Sequence, residues 1–205
     1  GTRLGAAALA GALDAAVASD AASLVVQSAR VGLPLQDLPS IDDCRAQLAE
    51  AEAAAEAERA AARAAAEEAG QEYDPTAPLD WFTERSLKAA RARLEAAERG
   101  EIDLTLPVEI QVIGFGDVAL VALGGEVFFE IGEEVRRRSP WPITIPMAYC
   151  NGSVGYIPTH AEVPFGGYEV DMARAQWHGL QIRDDADEAL IGHAVALLER
   201  ARRAG

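Results

Sequence analysis

Short apolar segments recur along the chain at the lengths expected of β-strands. Four segments have this pattern: residues 22–35, 108–113, 118–123 and 142–149. Residues 118–123 contain no polar side chain, which is typical of a strand covered on both faces of a sheet. The glycine-containing turn at 114–117 predicts a hairpin between the second and third segments. Because proline has no backbone N–H to donate, Pro34 places the first strand near an edge, and Pro146 indicates an edge or a bulge.

Apolar residues at helical spacing predict helices over 3–18, 80–99 and 187–203. The last helix has an inward face made of Leu190, Ile191, Ala194, Leu197 and Leu198. A further helix follows residues 118–123, with Glu126 in its first turn and three arginines at its end. Its inward face consists of Phe128, Ile131 and Val135. Together these elements predict an α/β fold, a mixed sheet of about four to five strands flanked by helices.

Residues 44–72 are rich in alanine, glutamate and arginine, a composition that strongly favours a helix. Ser40 and Asp80 are candidate caps for this helix and the next one, and Gly100 ends the second. Few large apolar residues lie in 44–72, so we expect an exposed helical hairpin over about 40–100, inserted in a core formed by 1–39 and 101–205. A solvated surface hairpin is the simpler interpretation, and a lid or partner-binding arm is the alternative.

Trp81 and Phe82 begin the second helix of this hairpin. Aromatic side chains often line the pockets of proteins that bind apolar ligands, which would place both residues in a substrate groove. They also bury large areas when they pack, and anchoring the hairpin to the body of the protein is the interpretation that we favour.

Composition excludes several classes of function. The 205 residues carry a formal net charge of −15, which argues against nucleic-acid binding and against electrostatic adsorption to anionic membranes. Cys44 and Cys150 lie in unlike contexts and imply neither a disulfide framework nor a cysteine metal site. No apolar run approaches about 20 residues, so no transmembrane segment is expected. No secretory signal is evident, and the location is left open between cytoplasm and secretion.

The candidate chemistry lies after residues 118–123. Gly124 and Gly125 permit a tight turn, and Glu126 follows at the carboxyl end of a strand, where α/β proteins collect their ligands. A helix dipole would favour the charged form of Glu126, but the same dipole makes glutamate common in first turns without any function. Spacing alone leaves both interpretations open.

Other reactive residues show no catalytic arrangement. His160, His178 and His193 lack the close spacing of zinc ligands, and surface or core roles are expected for them. Ser153 has no histidine–acid arrangement nearby in sequence and is not a candidate nucleophile. Thr2, near the first residue, is a poor candidate for an N-terminal nucleophile because no base is evident beside it.

Two motifs resemble the C-terminal part of the catalytic domain of neutral and alkaline ceramidases, especially their short bacterial relatives. They are G-D-V-A-L-V-A-L-G-G-E-V-F at 116–128 and N-G-S-V-G-Y-I-P-T at 151–159, followed by G-G-Y-E. These ceramidases are zinc amidases that hydrolyse the N-acyl bond of ceramide. The resemblance implies that Glu126 and Tyr156 bind zinc and that Tyr168 helps to hold the substrate carbonyl. One departure is Gly124, where the family usually has proline.

The resemblance also implies that the site is divided. The family's other two zinc ligands, both histidines, and its active-site serine lie in the N-terminal half, which would be a separate chain or a missing segment. The chain alone is therefore expected to have little or no hydrolase activity. Two alternatives remain: an amidase for a non-ceramide N-acyl substrate, and a non-catalytic binding or structural subunit with Glu126 as an ordinary helix-start residue and Tyr156 in the core.

Overall fold

The computed structural model describes residues 2–14, 23–100, 103–177, 179–183 and 185–204. The helices in these ranges are α1 (Thr2–Asp14), α2 (Ile41–Glu68), α3 (Trp81–Arg99), α4 (Phe129–Arg138), α5 (Tyr168–Gln176) and α6 (Ala186–Ala204). The strands are β1 (Leu24–Pro34), β2 (Thr105–Phe115), β3 (Val118–Leu123), β4 (Glu126–Val127), β5 (Ile143–Met147) and β6 (Tyr156–Ile157). A short 3-10 helix spans Val163–Phe165. The predicted α/β class is confirmed.

The main sheet has four strands in the order β1-β2-β3-β5. The first two pairs are antiparallel, and β3 pairs with β5 in parallel. Phe115 lies opposite Val118, so the predicted hairpin turns through Gly116 and Asp117 alone. Gly116 has a φ of 54°, the left-handed conformation that glycine adopts without a Cβ penalty. Pro34 and Pro146 both lie on edge strands, as predicted.

The core lies between one face of the sheet and helices α4 and α6. Val108, Ile110 and Val112 point to this side from β2 and are fully buried. The predicted inward residues of α6 are all buried against them: Leu190, Ile191, Ala194, Leu197 and Leu198. Each of the leucine and isoleucine side chains contributes roughly 1.5–3 kcal/mol by leaving water. The helical spacing in the sequence therefore identified the packed face of α6 correctly.

The opposite face of the sheet is only partly covered by the described residues. Val26, Ile113, Leu120 and Ile145 align across the four strands on that face. Val26 and Ile145 are about half exposed, and Leu120 is partly buried. On this face of β3, Ala122 is buried and Leu120 is partly buried, so the described residues cover this side of the strand less completely than the other.

One predicted boundary shifts in the structure, and another lies outside the described residues. The helix predicted over 3–18 is described as α1 only to Asp14, and residues 15–18 lie outside the described residues, as does Gly1. Every side chain of α1 that the structure describes is exposed. The strand predicted over 142–149 is shorter, because β5 ends at Met147.

Helices α2 and α3 form the predicted hairpin. Ser40 Oγ accepts a hydrogen bond from Asp43 N at 3.1 Å, and Asp80 caps α3 by accepting one from Phe82 N at 2.9 Å. Gly100 ends α3 with a φ of 67°. Ion pairs between exposed side chains cross the hairpin, from Arg45 to Glu98 and from Arg91 to Glu52. The caps and the hairpin agree with the sequence prediction.

The buried face of α3 contains a residue that the sequence analysis missed. Leu87 and Ala90 are buried as expected, but Phe82 is 45% exposed. Arg93 is buried instead, with only 8% of its surface exposed. Helical spacing places Arg93 on the packed face of α3. The sequence pattern did not predict its burial, because that pattern was based on apolar residues and Arg93 is charged.

Cys44 and Cys150 are both free thiols.

Among the described residues, the helices are too short or too polar for any of them to cross a lipid bilayer.

Candidate functional site

Glu126 lies in strand β4, so the prediction that it occupies the first turn of a helix is wrong. Helix α4 begins only at Phe129. Glu126 N instead donates a hydrogen bond to Gly155 O at 2.8 Å, and Phe128 N donates one to Ile157 O at 3.1 Å. These bonds hold the chain extended for two residues before the helix starts. The expected help from a helix dipole is therefore absent at Glu126.

The two glycines before Glu126 allow the backbone to pass through a crowded space. A Cβ on Gly125 would lie 2.8 Å from Ile157 Cδ1 and 3.0 Å from Gly155 O. A Cβ on Gly124 would lie 3.1 Å from Glu109 O. Because only glycine fits here without displacement, the strand β4 can approach β6 closely enough to pair with it.

Tyr156 lies directly opposite Glu126 in the parallel pair of β4 and β6. Opposite residues of a ladder point to the same face, which brings the carboxylate and the phenol together. A side-chain hydrogen bond with Glu126 is the largest effect that raises the pKa of Tyr156 to about 12. The phenol is therefore a protonated donor to the carboxylate in this structure.

Tyr149 is a second phenol at Glu126, and the sequence analysis did not select it. Its side-chain hydrogen bond with Glu126 raises the pKa of Tyr149 above the usual value. Tyr149 has a φ of 59°, and its backbone N donates to Gly125 O at 3.0 Å. Asn151-Gly152 directly after it is a turn signal, and this signal could have shown that the strand ends before Tyr149.

Tyr168 also joins this site, as the first residue of α5. Its ring is edge-on to the ring of Tyr156, with 6.0 Å between centroids. Gly166 and Gly167, with φ of 66° and 104°, form the bend that starts the helix there. The structure therefore brings together all three residues selected from the sequence, Glu126, Tyr156 and Tyr168.

Aromatic residues of the hairpin extend the site on one side. Phe82 is edge-on to Tyr168, with centroids 6.3 Å apart, and Trp81 is edge-on to Phe82 at 5.0 Å. Both are nearly half exposed. Phe82 thus contacts the body of the protein through Tyr168 and also presents an exposed apolar surface beside Tyr168. The buried part of these aromatic side chains agrees with an anchor, and their exposed part agrees with the lining of a groove.

The donor set at Glu126 suits an oxygen-binding metal only in part. A carboxylate and a phenol that has lost its proton can supply two of the four ligands of tetrahedral zinc. Within the described ranges, no group of three or more histidine, cysteine, aspartate or glutamate side chains comes together. Zinc at this position would therefore need further ligands from beyond these residues.

The histidines and Ser153 have other positions. His160 Nδ1 lies 2.9 Å from Asp187 Oδ2 at the start of α6, and His193 is exposed. His178 lies outside the described residues. Ser153 Oγ accepts a hydrogen bond from Gly155 N at 3.1 Å and shapes the turn before β6.

Comparisons with known proteins give weak structural matches. No protein-family model matches the chain, and no curated protein does. Among solved structures, a ceramidase complexed with C2 is similar at 20% identity and a TM-score of 0.40, over 49% of this chain and 15% of that one. The neutral ceramidase from Pseudomonas aeruginosa is similar at 22% identity and a TM-score of 0.34, over 47% of this chain. The match spans 16% of that ceramidase.

Proposed function

We propose that this chain contributes one part of the active site of a hydrolase that cleaves an N-acyl amide bond. The observation that carries the proposal is the placement of Glu126 opposite Tyr156 in the β4–β6 pair, with Tyr168 beside them. These are the three positions at which the sequence resembles the neutral ceramidases. The ladder holds the carboxylate and the phenol in register, which is the preorganisation that a catalytic site requires.

Glu126 and Tyr156 would hold a zinc ion through their side-chain oxygens. Zinc, when bound, polarises an amide carbonyl and activates the attacking group. To bind it, Tyr156 must release the proton that it now donates to Glu126, and the positive charge of the metal favours that loss. The Glu126 carboxylate, held in β4, would supply one oxygen ligand, and Tyr156 would supply the other.

Tyr168 would bind the substrate carbonyl oxygen through its hydroxyl group. Negative charge develops on this oxygen during attack on an amide, and a hydrogen-bond donor fixed in place stabilises that charge. Tyr168 is 57% exposed, so its hydroxyl is accessible to a ligand. The exposed rings of Trp81 and Phe82 lie on the same side and would contact an apolar acyl chain, which favours a lipid-like N-acylated substrate.

The remaining zinc ligands and the nucleophile would come from another polypeptide segment, the N-terminal half in the ceramidases that the sequence resembles. Two donors are too few for a zinc site of high affinity. The isolated chain should therefore bind zinc weakly and hydrolyse little or no N-acyl substrate. Robust turnover by the pure chain would contradict the divided site.

The test begins with native mass spectrometry of the protein from its natural source. We expect a second polypeptide or a longer chain, with one zinc ion in the assembly. Hydrolysis of a panel of N-acylated amines then defines the substrate, including ceramides and shorter amides. Glu126→Gln should remove the zinc and lower turnover by at least about a hundredfold, more than is typical of changes in residues around metal ligands. Glu130 on α4 is exposed, and Glu130→Gln is the matched control, which should retain both the zinc and the turnover.

A second candidate function is a non-catalytic binding or structural subunit. The observation that favours it is the hydrogen bonding at Glu126, because two protonated phenols already satisfy the carboxylate without a metal. On this alternative Glu126→Gln changes stability only modestly, by about 1 kcal/mol or less, and the natural protein carries no zinc. A lone metal-free chain in native mass spectrometry would decide for this function.

A further inference from the structure

A second cleft lies between α3 and α5. Its volume is about 280 Å³. The residues that line it are Ser86, Ala89, Arg93, Asp171, Arg174 and Gly179. Arg174 follows Tyr168 by six positions on α5, which corresponds to about 9 Å along the helix axis. The lining includes none of Glu126, Tyr149, Tyr156 and Tyr168, so the cleft is distinct from the candidate site at Glu126.

Arg93 presents its guanidinium group to this cleft from a largely buried position. Removal from water is the largest effect on the pKa of Arg93 and lowers it. The Cys44 side chain, which is hydrogen-bonded to Arg93, raises this pKa, and the nearby positive charge of Arg174 lowers it. A Cβ placed on Gly179 would lie 1.8 Å from Arg93 Nη1, so the guanidinium lies directly against the Gly179 backbone. Gly179 also has a φ of 73°. The absence of a side chain at this residue makes room for the charged group.

Arg174 is held in place on the opposite wall. The side-chain amide of Gln181 is oriented so that its hydrogen bonds are satisfied. In this orientation the Gln181 side-chain oxygen accepts hydrogen bonds from Arg174 Nε at 2.8 Å and from Arg174 Nη2 at 2.9 Å. Gln181 is itself buried. The Nε–Nη2 edge of the Arg174 guanidinium is thus held by a buried amide.

We propose that this cleft binds the carboxylate group of a small organic acid between Arg93 and Arg174. Two like charges that line one cleft repel each other, and an anion between them removes that repulsion. Guanidinium groups suit carboxylates because their N–H groups form paired hydrogen bonds with the two oxygens. With Asp171, the charged side chains of the lining carry one net positive charge, which a single carboxylate neutralises, whereas doubly charged phosphate would leave an uncompensated negative charge in the cleft. The Ser86 hydroxyl adds a neutral hydrogen-bond donor.

The test is an NMR titration of the whole chain with sodium acetate, with sodium chloride at equal ionic strength as the baseline and inorganic phosphate in a parallel series. We expect acetate to cause saturable shifts at the Gly179 amide and the Arg174 Nε–H signal. Phosphate should bind more weakly at the same signals. Absence of saturable shifts, or tighter binding of phosphate, would overturn the proposal.

Variants connect the shifts to the two arginines. Arg174→Gln should weaken acetate binding by roughly ten- to a hundredfold, because it removes charged hydrogen bonds. Arg174→Lys, which keeps the charge but loses the paired donors, should bind acetate with intermediate affinity. The exposed Arg200→Gln on α6 changes the net charge equally and should leave binding unchanged. Gly179→Ala is a second variant, and it tests the role of Arg93, because its methyl group displaces the Arg93 guanidinium without removing a charge. Unchanged binding in Arg174→Gln would contradict the assignment.

Discussion

The carboxylate of Glu126 and the phenol of Tyr156 form a hydrogen-bonded pair across the two-residue ladder of β4 and β6. Thirty positions separate these residues in the chain, and the ladder makes them neighbours. The pair is polar, partly buried and fixed by backbone bonds on both sides. It is therefore the part of the molecule whose chemistry is most directly open to measurement.

Replacing the carboxylate should change the acidity of Tyr156. In Glu126→Gln the pKa of Tyr156 should fall from about 12 toward the ordinary value of 10, because the negative charge and its hydrogen bond are lost. The measurement is the absorbance of ionised tyrosine as pH rises, with Tyr156→Phe used to assign the transition. Glu130→Gln should leave the titration curve unchanged. An unaltered high-pH transition in Glu126→Gln would show that another group holds the proton.

The tight passage at Gly125 should tolerate no side chain. Gly125→Ala places a methyl group against Ile157 Cδ1 and Gly155 O, so β4 and β6 must move apart. Overpacking of this kind costs about 1–3 kcal/mol in the free energy of unfolding, measured by urea denaturation.

Gly132→Ala in α4 is the matched control. The nearest neighbour of its added methyl group is Pro146 Cβ at 3.5 Å, an ordinary contact. Alanine should stabilise this helix by about 0.5–1 kcal/mol. Equal effects of the two substitutions would contradict the crowding at Gly125.

The core beneath the sheet should depend strongly on α6. Leu197 is fully buried, and Leu197→Ala should lower the free energy of unfolding by about 2–5 kcal/mol through lost burial and a cavity. Leu9→Ala in α1 is the same chemical change at a side chain that is 61% exposed, and it should cost about 0.5 kcal/mol or less. A comparable loss in Leu9→Ala would show that α1 packs against a surface.

The end of α4 should respond to acid through Glu134. Hydrogen bonds from Arg137 and Arg138 lower the pKa of Glu134 to about 2. Because the folded pKa lies below the unfolded value, the stabilisation is present above about pH 4.5 and is lost as the pH falls toward 2. Glu134→Gln should therefore have a lower Tm than the parent at pH 7, by a small amount because the pair is exposed.

The pH series gives the check on this ion-pair cluster. The difference in Tm between the parent and Glu134→Gln should shrink between pH 4.5 and 2, whereas Glu130→Gln should differ little from the parent throughout. Because other carboxylates titrate in both proteins, only the difference reports on Glu134. A difference that is constant with pH would exclude the ionised carboxylate as its cause.

Local patterns in the sequence determined most of the elements. Ser40, Asp80 and Gly100 mark helix ends because caps satisfy backbone groups within three residues. The apolar spacing in 187–203 predicted the buried face of α6, and the paired segments around Gly116 predicted the hairpin. Each of these features depends on interactions between residues close in sequence, or on one dominant contrast between apolar and polar side chains.

The tertiary structure alone decided the conformation at Glu126. Residues 126–127 suit a helix start by sequence, but Glu126 N and Phe128 N donate hydrogen bonds to the carbonyl oxygens of Gly155 and Ile157, about thirty residues away, and the chain extends into β4. A further long-range bond, from Tyr149 N to Gly125 O, holds Tyr149 near the carboxylate. No local pattern specifies the backbone of a distant strand, so the sequence proposed Glu126, Tyr156 and Tyr168 as candidates but did not predict how they meet.

The burial of Arg93 and the open outer face of the sheet were also decided at the tertiary level. A charged residue is expected at the surface, and only the packing of α3 against α5 and Gly179 removes this one from water. An apolar strand is expected to be covered on both faces, but coverage depends on where the helices lie. The sequence determines which surfaces are apolar, and the arrangement of the elements determines which of them become buried.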